Sequence, residues 1–329
     1  MKFRLISITA IALVFVSVSS VFAQLAGDTT GTLLVQGRKL VNDKNYAEAI
    51  NTLNKLLTRD PNNLEALHLI AGAYSMLGNT VQSRTYYQRV LKNHPDDVDA
   101  LVGIGASYSN EKQNSKALEF FEQAVKLDSS NILALTNLGK QQAMNGQISK
   151  ALVPLRRAIT LAPKDKDVCF ALAGAFATAK MYDSAEFYYK QSIMAGKETF
   201  PAFYYLAVVL QHEGKTDEAV KGYKAAIGME PENKDCLRAL GQLYIKTNQF
   251  SLAKEEFNRL IALDSAYLPG WQGLGLTLAL DGQYARADSV IQLLMYLDST
   301  SAYALLQSIR DERRRIEAEA SDSAFHSKQ

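Results

Sequence analysis

The residues best suited to chemistry in this sequence are histidines and cysteines. They are His68, His94, His212, His326, Cys169 and Cys236. None of the histidines has a partner at the spacing that zinc ligands require. No phosphate-binding glycine loop occurs, and the glycine-containing segments fit turns or helix contacts. The sequence therefore predicts no catalytic residue, no metal site and no cofactor, so the chain is not expected to be an enzyme.

The secondary structure that positions these residues is predicted most clearly from residues 268–301. Trp271, Leu274, Gly275 and Leu278 follow one another at spacings of three, one and three. These spacings place all four on one face of a helix. After a polar break at residues 281–284, a second apolar set repeats the helical period. The unit is therefore two amphipathic helices joined by a tight turn, and neither helix can bury its apolar face alone.

The same 34-residue unit recurs along the chain without insertion or deletion. A small residue recurs at the Gly275 position, as Gly37, Ala71, Gly105, Gly139, Ala173, Ala207 and Gly241. A pattern of Trp, Leu-Gly, Tyr, Ala, Phe and Pro at these offsets resembles the tetratricopeptide repeat. The resemblance covers residues 30 to 301 and implies an all-α, right-handed α-solenoid of about eight helical hairpins.

The repeat also predicts the domain boundaries. A helix over residues 302–320 is expected to cap the array, and residues 321–329 are expected to form a disordered tail. Pro154 predicts a late start of the second helix in repeat four, with a local bend as the alternative. The predicted repeats are 30–63, 64–97, 98–131, 132–165, 166–199, 200–233, 234–267 and 268–301.

Composition limits the classes of partner. The chain has 36 Lys plus Arg and 34 Asp plus Glu, and without Lys2 and Arg4 the two totals are equal. A neutral balance argues against nucleic-acid binding, which needs a basic surface. Cys169 is expected in the core and Cys236 to be partly buried. Two repeats separate them, too far for the roughly 7 Å that a disulfide allows between Cα atoms.

Residues 1–23 are typical of a secretory signal peptide. Lys2 and Arg4 precede an apolar run from Leu5 to Val18, and small residues precede a cleavage point before Gln24. The run is shorter than the roughly 20 residues that a membrane-spanning helix needs. We therefore expect cleavage, no stable membrane insertion and a periplasmic or secreted location, with an uncleaved anchor as the alternative.

The resemblance implies that the first helices of the repeats line a concave groove. In the second half of the chain, aromatic and cationic residues recur on that side, and both types are enriched in binding hot spots. The alternative is that some of the tyrosines only pack between helices. The predicted partner-binding residues are Phe170, Tyr204, Tyr205, Gln211, His212, Arg238, Gln242 and Lys246.

These features predict a non-catalytic interaction scaffold that binds an extended peptide or a partner's helix in the groove. The Lys and Asn set by which some tetratricopeptide-repeat proteins hold a peptide carboxylate is not assembled here, because Val102 and Ala106 occupy its positions. The alternative is a glycan-binding or polysaccharide-export component, in which groove tyrosines stack on sugar rings.

Overall fold

The computed structural model describes the backbone of residues 30–326. The predicted signal peptide at residues 1–23 lies outside the described residues. The chain divides into two compact units, with the boundary between Pro163 and Lys164. The described residues form helices and turns without a strand, which confirms the predicted all-α class.

Unit 1 contains four helical hairpins. Its helices are α1 (residues 30–42), α2 (Tyr46–Leu57), α3 (Leu64–Met76), α4 (Thr80–Asn93), α5 (Val98–Asn110), α6 (Asn114–Leu127), α7 (Ile132–Met144) and α8 (Ile148–Leu161). Each hairpin pairs an odd-numbered first helix with an even-numbered second helix, and consecutive hairpins pack side by side.

Unit 2 contains four further hairpins and one additional helix. Its helices are α9 (Lys166–Thr178), α10 (Tyr182–Met194), α11 (Phe200–His212), α12 (Thr216–Met229), α13 (Lys234–Lys246), α14 (Phe250–Leu263), α15 (Leu268–Leu280), α16 (Tyr284–Leu297) and α17 (Ser299–His326). Hairpins again pack in succession, and α17 packs against α15 and α16. Within each unit this succession is the arrangement of an α-solenoid.

Helix starts recur every 34 residues in both units, because the same contact between a small residue and a large side chain is repeated in successive hairpins. In unit 1, a Cβ added at Gly105 would lie 2.7 Å from the Phe121 ring, and in unit 2 one at Gly241 would lie 2.8 Å from the Phe257 ring. Phe121 and Phe257 are almost fully buried. A residue without a side chain thus lets a large ring fill the space between the helices of a hairpin.

The turn inside each hairpin uses one residue with left-handed backbone geometry. Gly78 has a φ of 74°, and Lys112, at the equivalent position of the next hairpin, has a φ of 58°. The next amide, that of Gln113, donates to the Tyr108 carbonyl at 2.9 Å. This pattern satisfies carbonyls at the helix end. The hydrogen bonds of the turn therefore hold even a lysine in a conformation that favours glycine.

The helix α8 differs from the expectation for Pro154. It begins at Ile148, in register with the other second helices, and Pro154 lies inside it with its ring buried. The proposed late start is therefore wrong. Proline removes one helical hydrogen bond, and burial of its ring among apolar side chains offsets part of that cost.

The last helix is longer than the sequence analysis predicts. It begins at Ser299 instead of residue 302, and it continues through residues 321–326, which were expected to be disordered. No glycine or proline interrupts residues 299–326, and a helix that has formed extends at little cost per residue. Residues 327–329 lie outside the described part of the chain.

Candidate functional site

One glycine position opens a cavity in each unit. Gly103 in α5 and Gly273 in α15 lie 170 residues apart, which is five periods of 34. A Cβ at Gly103 would lie 2.2 Å from the Tyr87 ring, and one at Gly273 would lie 2.1 Å from the Phe257 ring. In both cases an aromatic ring from the preceding second helix reaches the face of the first helices and forms the floor of a cavity.

The cavity of unit 2 has a volume of about 400 Å³ and lies among α13, α15 and α17. Its floor and walls are mainly apolar, and amide, hydroxyl and guanidinium groups stand around them. It is lined by Arg238, Gln242, Ile245, Phe257, Tyr267, Pro269, Gln272, Gly273, Leu276, Ala304, Leu305 and Ser308. We call it the cationic cavity, because Arg238 is the charged residue in its lining. An apolar cavity with a few polar groups is the usual form of a binding site.

Arg238 forms an ion pair with an exposed carboxylate and not with a buried one. Its Nη2 donates to Asp235 Oδ1 at 3.2 Å, and the Asp235 side chain is 70% exposed. An ion pair this exposed contributes roughly 0–1 kcal/mol. The guanidinium can therefore exchange Asp235 for a carboxylate of a ligand at little cost.

The cavity of unit 1 has a volume of about 520 Å³ and lies among α3, α5 and α7. Its polar groups are two carboxylates, a histidine, a phenol, a hydroxyl and an amide, and we call it the acidic cavity because of the carboxylates. It is lined by Glu65, His68, Leu69, Ser75, Tyr87, Asp99, Val102, Gly103, Ala106, Leu133 and Asn137.

Two carboxylates in or beside the acidic cavity already have partners within unit 1. His68 Nε2 lies 3.0 Å from Asp97 Oδ2, while Arg38 Nε donates to Glu65 Oε1 at 2.8 Å. Burial raises the pKa of Tyr87, and the negative charges of Asp99 and Asp97 raise it further. The phenol therefore stays protonated and available as a donor beside these carboxylates.

The predicted aromatic residues form a cluster of their own in unit 2. Tyr205 occupies the same repeat position as Gly103 and Gly273, and its ring stacks on Tyr189 with centroids 6.3 Å apart. Phe170 and Tyr204 contact Tyr205 at centroid distances of 6.3 and 5.4 Å. The tyrosine thus fills the space that glycine leaves open elsewhere. Only Tyr205 of these three is classed as exposed, at 46% of its surface.

The other predicted residues separate into different environments. Arg238 and Gln242 line the cationic cavity, and Lys246 is exposed on the same helix. Gln211 accepts a hydrogen bond from the Tyr223 hydroxyl at 2.8 Å, which gives it a packing role. His212 stacks on a tyrosine of α10 at 4.8 Å. The predicted set is therefore not one continuous wall.

Several cavity residues were missed by the sequence analysis. Gln272, Tyr267 and Ser308 line the cationic cavity, and Ser308 lies on α17, for which the sequence predicts only a capping role. The signal that could have found them was glycine at the Gly103 and Gly273 position, where other repeats carry a larger residue.

A like-charged pair in unit 2 stands where unit 1 has an ion pair. Glu186 and Glu213 lie three periods beyond Arg84 and Glu111, which pair at 2.9 Å. Burial raises the pKa of Glu213. Burial acts in the same direction on Glu186, but hydrogen bonds from Lys190 and Lys215 outweigh it and lower the Glu186 pKa to about 2.

The thiols take no part in either cavity. Cys169 and Cys236 are both reduced and buried, so Cys236 is more buried than expected. Burial raises the Cys236 pKa to about 12, so its thiol is protonated at neutral pH. Within residues 30–326, no group of three or more His, Cys, Asp or Glu side chains is placed to hold a metal ion. No helix in the same range is long and apolar enough to span a membrane.

Sequence comparison identifies the repeat. A tetratricopeptide-repeat family model matches residues 40–104 and 210–275, and a second tetratricopeptide-repeat model matches residues 77–132. Together with the helical hairpins, these matches show that the chain contains tetratricopeptide repeats. Proteins with this repeat act as protein-interaction scaffolds. No curated protein matches the chain in sequence.

Solved structures share the fold at low sequence identity. In the crystal structure of the APC/C heterotetramer Cut9–Hcn1, one chain matches with a TM-score of 0.62 and 16% identity, over 84% of this chain and 55% of that chain. This protein therefore spans about half the length of that relative. PilW, a type IV pilus biogenesis factor, matches with a TM-score of 0.57 and 20% identity, over 62% of this chain and 94% of its own.

A tetratricopeptide repeat protein from Parabacteroides merdae matches with a TM-score of 0.56 and 14% identity. The match covers 76% of this chain and 99% of that protein. Structural matches at such low sequence identity show a shared fold only. The ligand of this protein must be inferred from its own side chains.

Proposed function

We propose that this protein is an exported, non-catalytic interaction scaffold that binds an extended peptide or partner helix along the first helices of its repeats. The observation that carries the proposal is the cationic cavity, where Arg238 and Gln242 stand beside an apolar floor made by Phe257. A cavity of this kind anchors one side chain of a partner, and the cationic rim favours a carboxylate nearby.

The rigidity of the cavity supports this function. Phe257 is almost fully buried, and Leu305 of α17 packs against Gly275, so the floor and one wall are fixed before a partner arrives. Binding to a pre-organised surface loses less conformational entropy. Among the proteins of similar fold, Cut9–Hcn1 is a heterotetramer and therefore a protein–protein assembly.

The aromatic cluster favours a protein ligand over a glycan. Tyr205 has one face stacked on Tyr189, and the rings of Phe170 and Tyr204 lie against it at centroid distances of 6.3 and 5.4 Å. The predicted glycan site depends on several exposed rings, and Tyr205 is the one exposed ring among Phe170, Tyr189, Tyr204 and Tyr205. We therefore propose no separate glycan-binding function.

Photo-crosslinking tests the groove. A photo-reactive amino acid placed at Gln242, which is exposed in the cationic cavity, should capture a partner in the cell that makes the protein. The matched control carries the same amino acid at Lys221, which is exposed on a second helix of the same unit. Equal adducts at both positions, or adducts only at position 221, would contradict binding along the first helices.

Export is tested separately. The sequence of residues 1–23 supports removal of a signal peptide before Gln24. N-terminal sequencing of the protein recovered from the extracytoplasmic fraction should then begin at Gln24. A protein that stays in the cytoplasmic fraction with residues 1–23 attached would contradict this part of the proposal.

A further inference from the structure

We propose that the acidic cavity of unit 1 is a second binding site, which takes a lysine or arginine side chain of a partner polypeptide. This inference does not depend on binding in the cationic cavity, because it rests on different residues in a different unit. Three features carry it: the shape of the cavity, its carboxylates and its aromatic floor.

The walls suit the long aliphatic stem of a basic side chain. Val102, Ala106, Leu69 and Leu133 supply apolar surface along a cavity of about 520 Å³. Lysine and arginine bury their methylene groups against such surface while the charged end reaches a polar partner. The side chains of aspartate and glutamate have shorter stems, and their carboxylates would be repelled by Glu65 and Asp99 of the cavity.

The carboxylates are unequally engaged. Asp97 is committed, because its Oδ1 caps α5 by accepting from the Ala100 amide at 2.8 Å and its Oδ2 lies 3.0 Å from His68 Nε2. Glu65 pairs with Arg38, and both side chains of that pair are more than 40% exposed. Asp99 has no hydrogen-bond or ion-pair partner among the described residues. It is therefore the group that an incoming cation pairs with first.

The aromatic floor provides a second attraction for a cation. Gly103 carries no side chain between the Tyr87 ring and the cavity, and the ring is half-buried. The face of a tyrosine attracts a cation by roughly 0.5–1 kcal/mol at exposed sites and more where water is excluded. Tyr87 and Asp99 both line this cavity, so a cation that enters it lies near both groups.

A polypeptide suits this cavity better than a free amine. The cavity extends across three first helices, from Ser75 to Asn137. Asn137 Nδ2 donates to the Leu133 carbonyl at 3.0 Å, which leaves its amide oxygen to accept a hydrogen bond. A backbone N–H of an extended peptide supplies that donor, whereas a free amine has no second polar group at this distance.

The test measures binding of a labelled, N-acetylated tetralysine amide to the full chain, with tetraglutamine amide as the neutral comparison. Asp99→Asn should weaken tetralysine binding about tenfold, since a charge-assisted hydrogen bond contributes about that much. Asp99→Glu, which keeps the charge, should retain most of the affinity. Arg238→Glu, in the other unit, should leave this binding within about twofold.

The matched control is Glu122→Gln, which removes the same charge from an exposed residue on a second helix of unit 1. If Glu122→Gln and Asp99→Asn weaken binding equally, only the general charge of the surface is involved and the proposal is wrong. Tetralysine binding no tighter than tetraglutamine binding would also overturn it. Thermal unfolding of each variant separates loss of binding from loss of the fold. None of these outcomes bears on the photo-crosslinking expected at Gln242.

Discussion

The acidic cavity of unit 1 and the cationic cavity of unit 2 have one architecture and opposite charge. Each has a glycine, Gly103 or Gly273, over an aromatic ring from the preceding second helix. The acidic cavity then adds Glu65 and Asp99, while the cationic cavity adds Arg238. The backbone of the repeat therefore determines where a cavity can form, and a few rim residues determine its charge.

The aromatic cluster provides the third case of the comparison. At the same repeat position, Tyr205 replaces the glycine and its ring fills the space against Tyr189. A repeat protein can thus open or close a cavity by changing one residue, without altering the helices around it.

The largest expected effect comes from removing an aromatic floor. Phe257→Ala should lower the free energy of unfolding by about 3–5 kcal/mol, because loss of the buried ring would leave a void between α13 and α15. Tyr205→Ala should cost less than half as much, since Tyr205 is 46% exposed. Urea denaturation followed by circular dichroism measures both. Equal losses would show that the cluster and the cavity floor are packed alike.

The next effect comes from the glycines that open the cavities. Gly273→Ala should destabilise the protein by about 1–3 kcal/mol, because its Cβ would overlap the Phe257 ring. Gly174→Ala, in an ordinary helical position whose nearest contact would be 3.6 Å away, should be stabilising by up to about 1 kcal/mol.

Unit 1 offers the same pair of changes. Gly103→Ala should be destabilising, and Gly72→Ala, where a Cβ would meet nothing within 4 Å, should be stabilising. Midpoints of thermal unfolding give the signs directly. A stabilising change at position 103 or 273 would mean that the ring moves aside freely and that glycine is not required for the cavity.

A binding effect of intermediate size distinguishes the cationic cavity from the aromatic cluster. Arg238→Ala should reduce the yield of the Gln242 photo-adduct about tenfold, a loss typical of a hot-spot residue. Tyr204→Ala and Lys221→Ala should each change it by less than about twofold. If Tyr204→Ala has the larger effect, the aromatic cluster is the true contact surface and the assignment of the site must move to α11.

The smallest expected effect is a difference in pH dependence between the units. The raised pKa of Glu213 means that its stabilising contribution is present below the ordinary value of 4.5 and is lost as pH rises through the folded-state pKa. Glu213→Gln should therefore flatten the decrease in stability above about pH 4.5. Urea denaturation at several pH values between 4 and 8 measures the slope.

The equivalent residue of unit 1 should behave in the opposite way. Hydrogen bonds from Thr80 and Arg84 lower the pKa of Glu111, so its contribution is present above 4.5 and lost as pH falls. Glu111→Gln should reduce stability at neutral pH, whereas Glu213→Gln should not. Parallel behaviour of the two variants would show that Lys215 neutralises Glu213 as fully as Arg84 neutralises Glu111.

Much of the fold was predictable because the residues that determine each hairpin lie within that hairpin. The spacing of Gly105, Phe121 and the turn residue Gly78 recurs every 34 residues, and each acts within one or two helices. The length of α17 was not predictable in this way, since no local stop signal follows residue 320 and the end depends on how far the helix extends.

The binding sites were harder to predict, because a cavity depends on what neighbouring repeats leave unfilled. Arg238 and Gln242 are predicted as groove residues because cationic and amide side chains recur on the first helices, and the structure places both in the lining of the cationic cavity. Tyr205 was assigned to the same wall, yet its ring is engaged with Tyr189. A tyrosine is available to a ligand only if no neighbouring ring packs against it. That neighbouring ring lies on another helix, so the sequence of the tyrosine's own helix does not predict it.

The cationic cavity depends on a helix, α17, that follows the eight hairpins. Ala304, Leu305 and Ser308 form one wall, and Leu305 is 1% exposed. A protease that cuts between α16 and α17 would release that wall and uncover the apolar face of α15. Removal of α17 would thus open the cationic cavity on one side, while unit 1 would keep every residue that lines the acidic cavity.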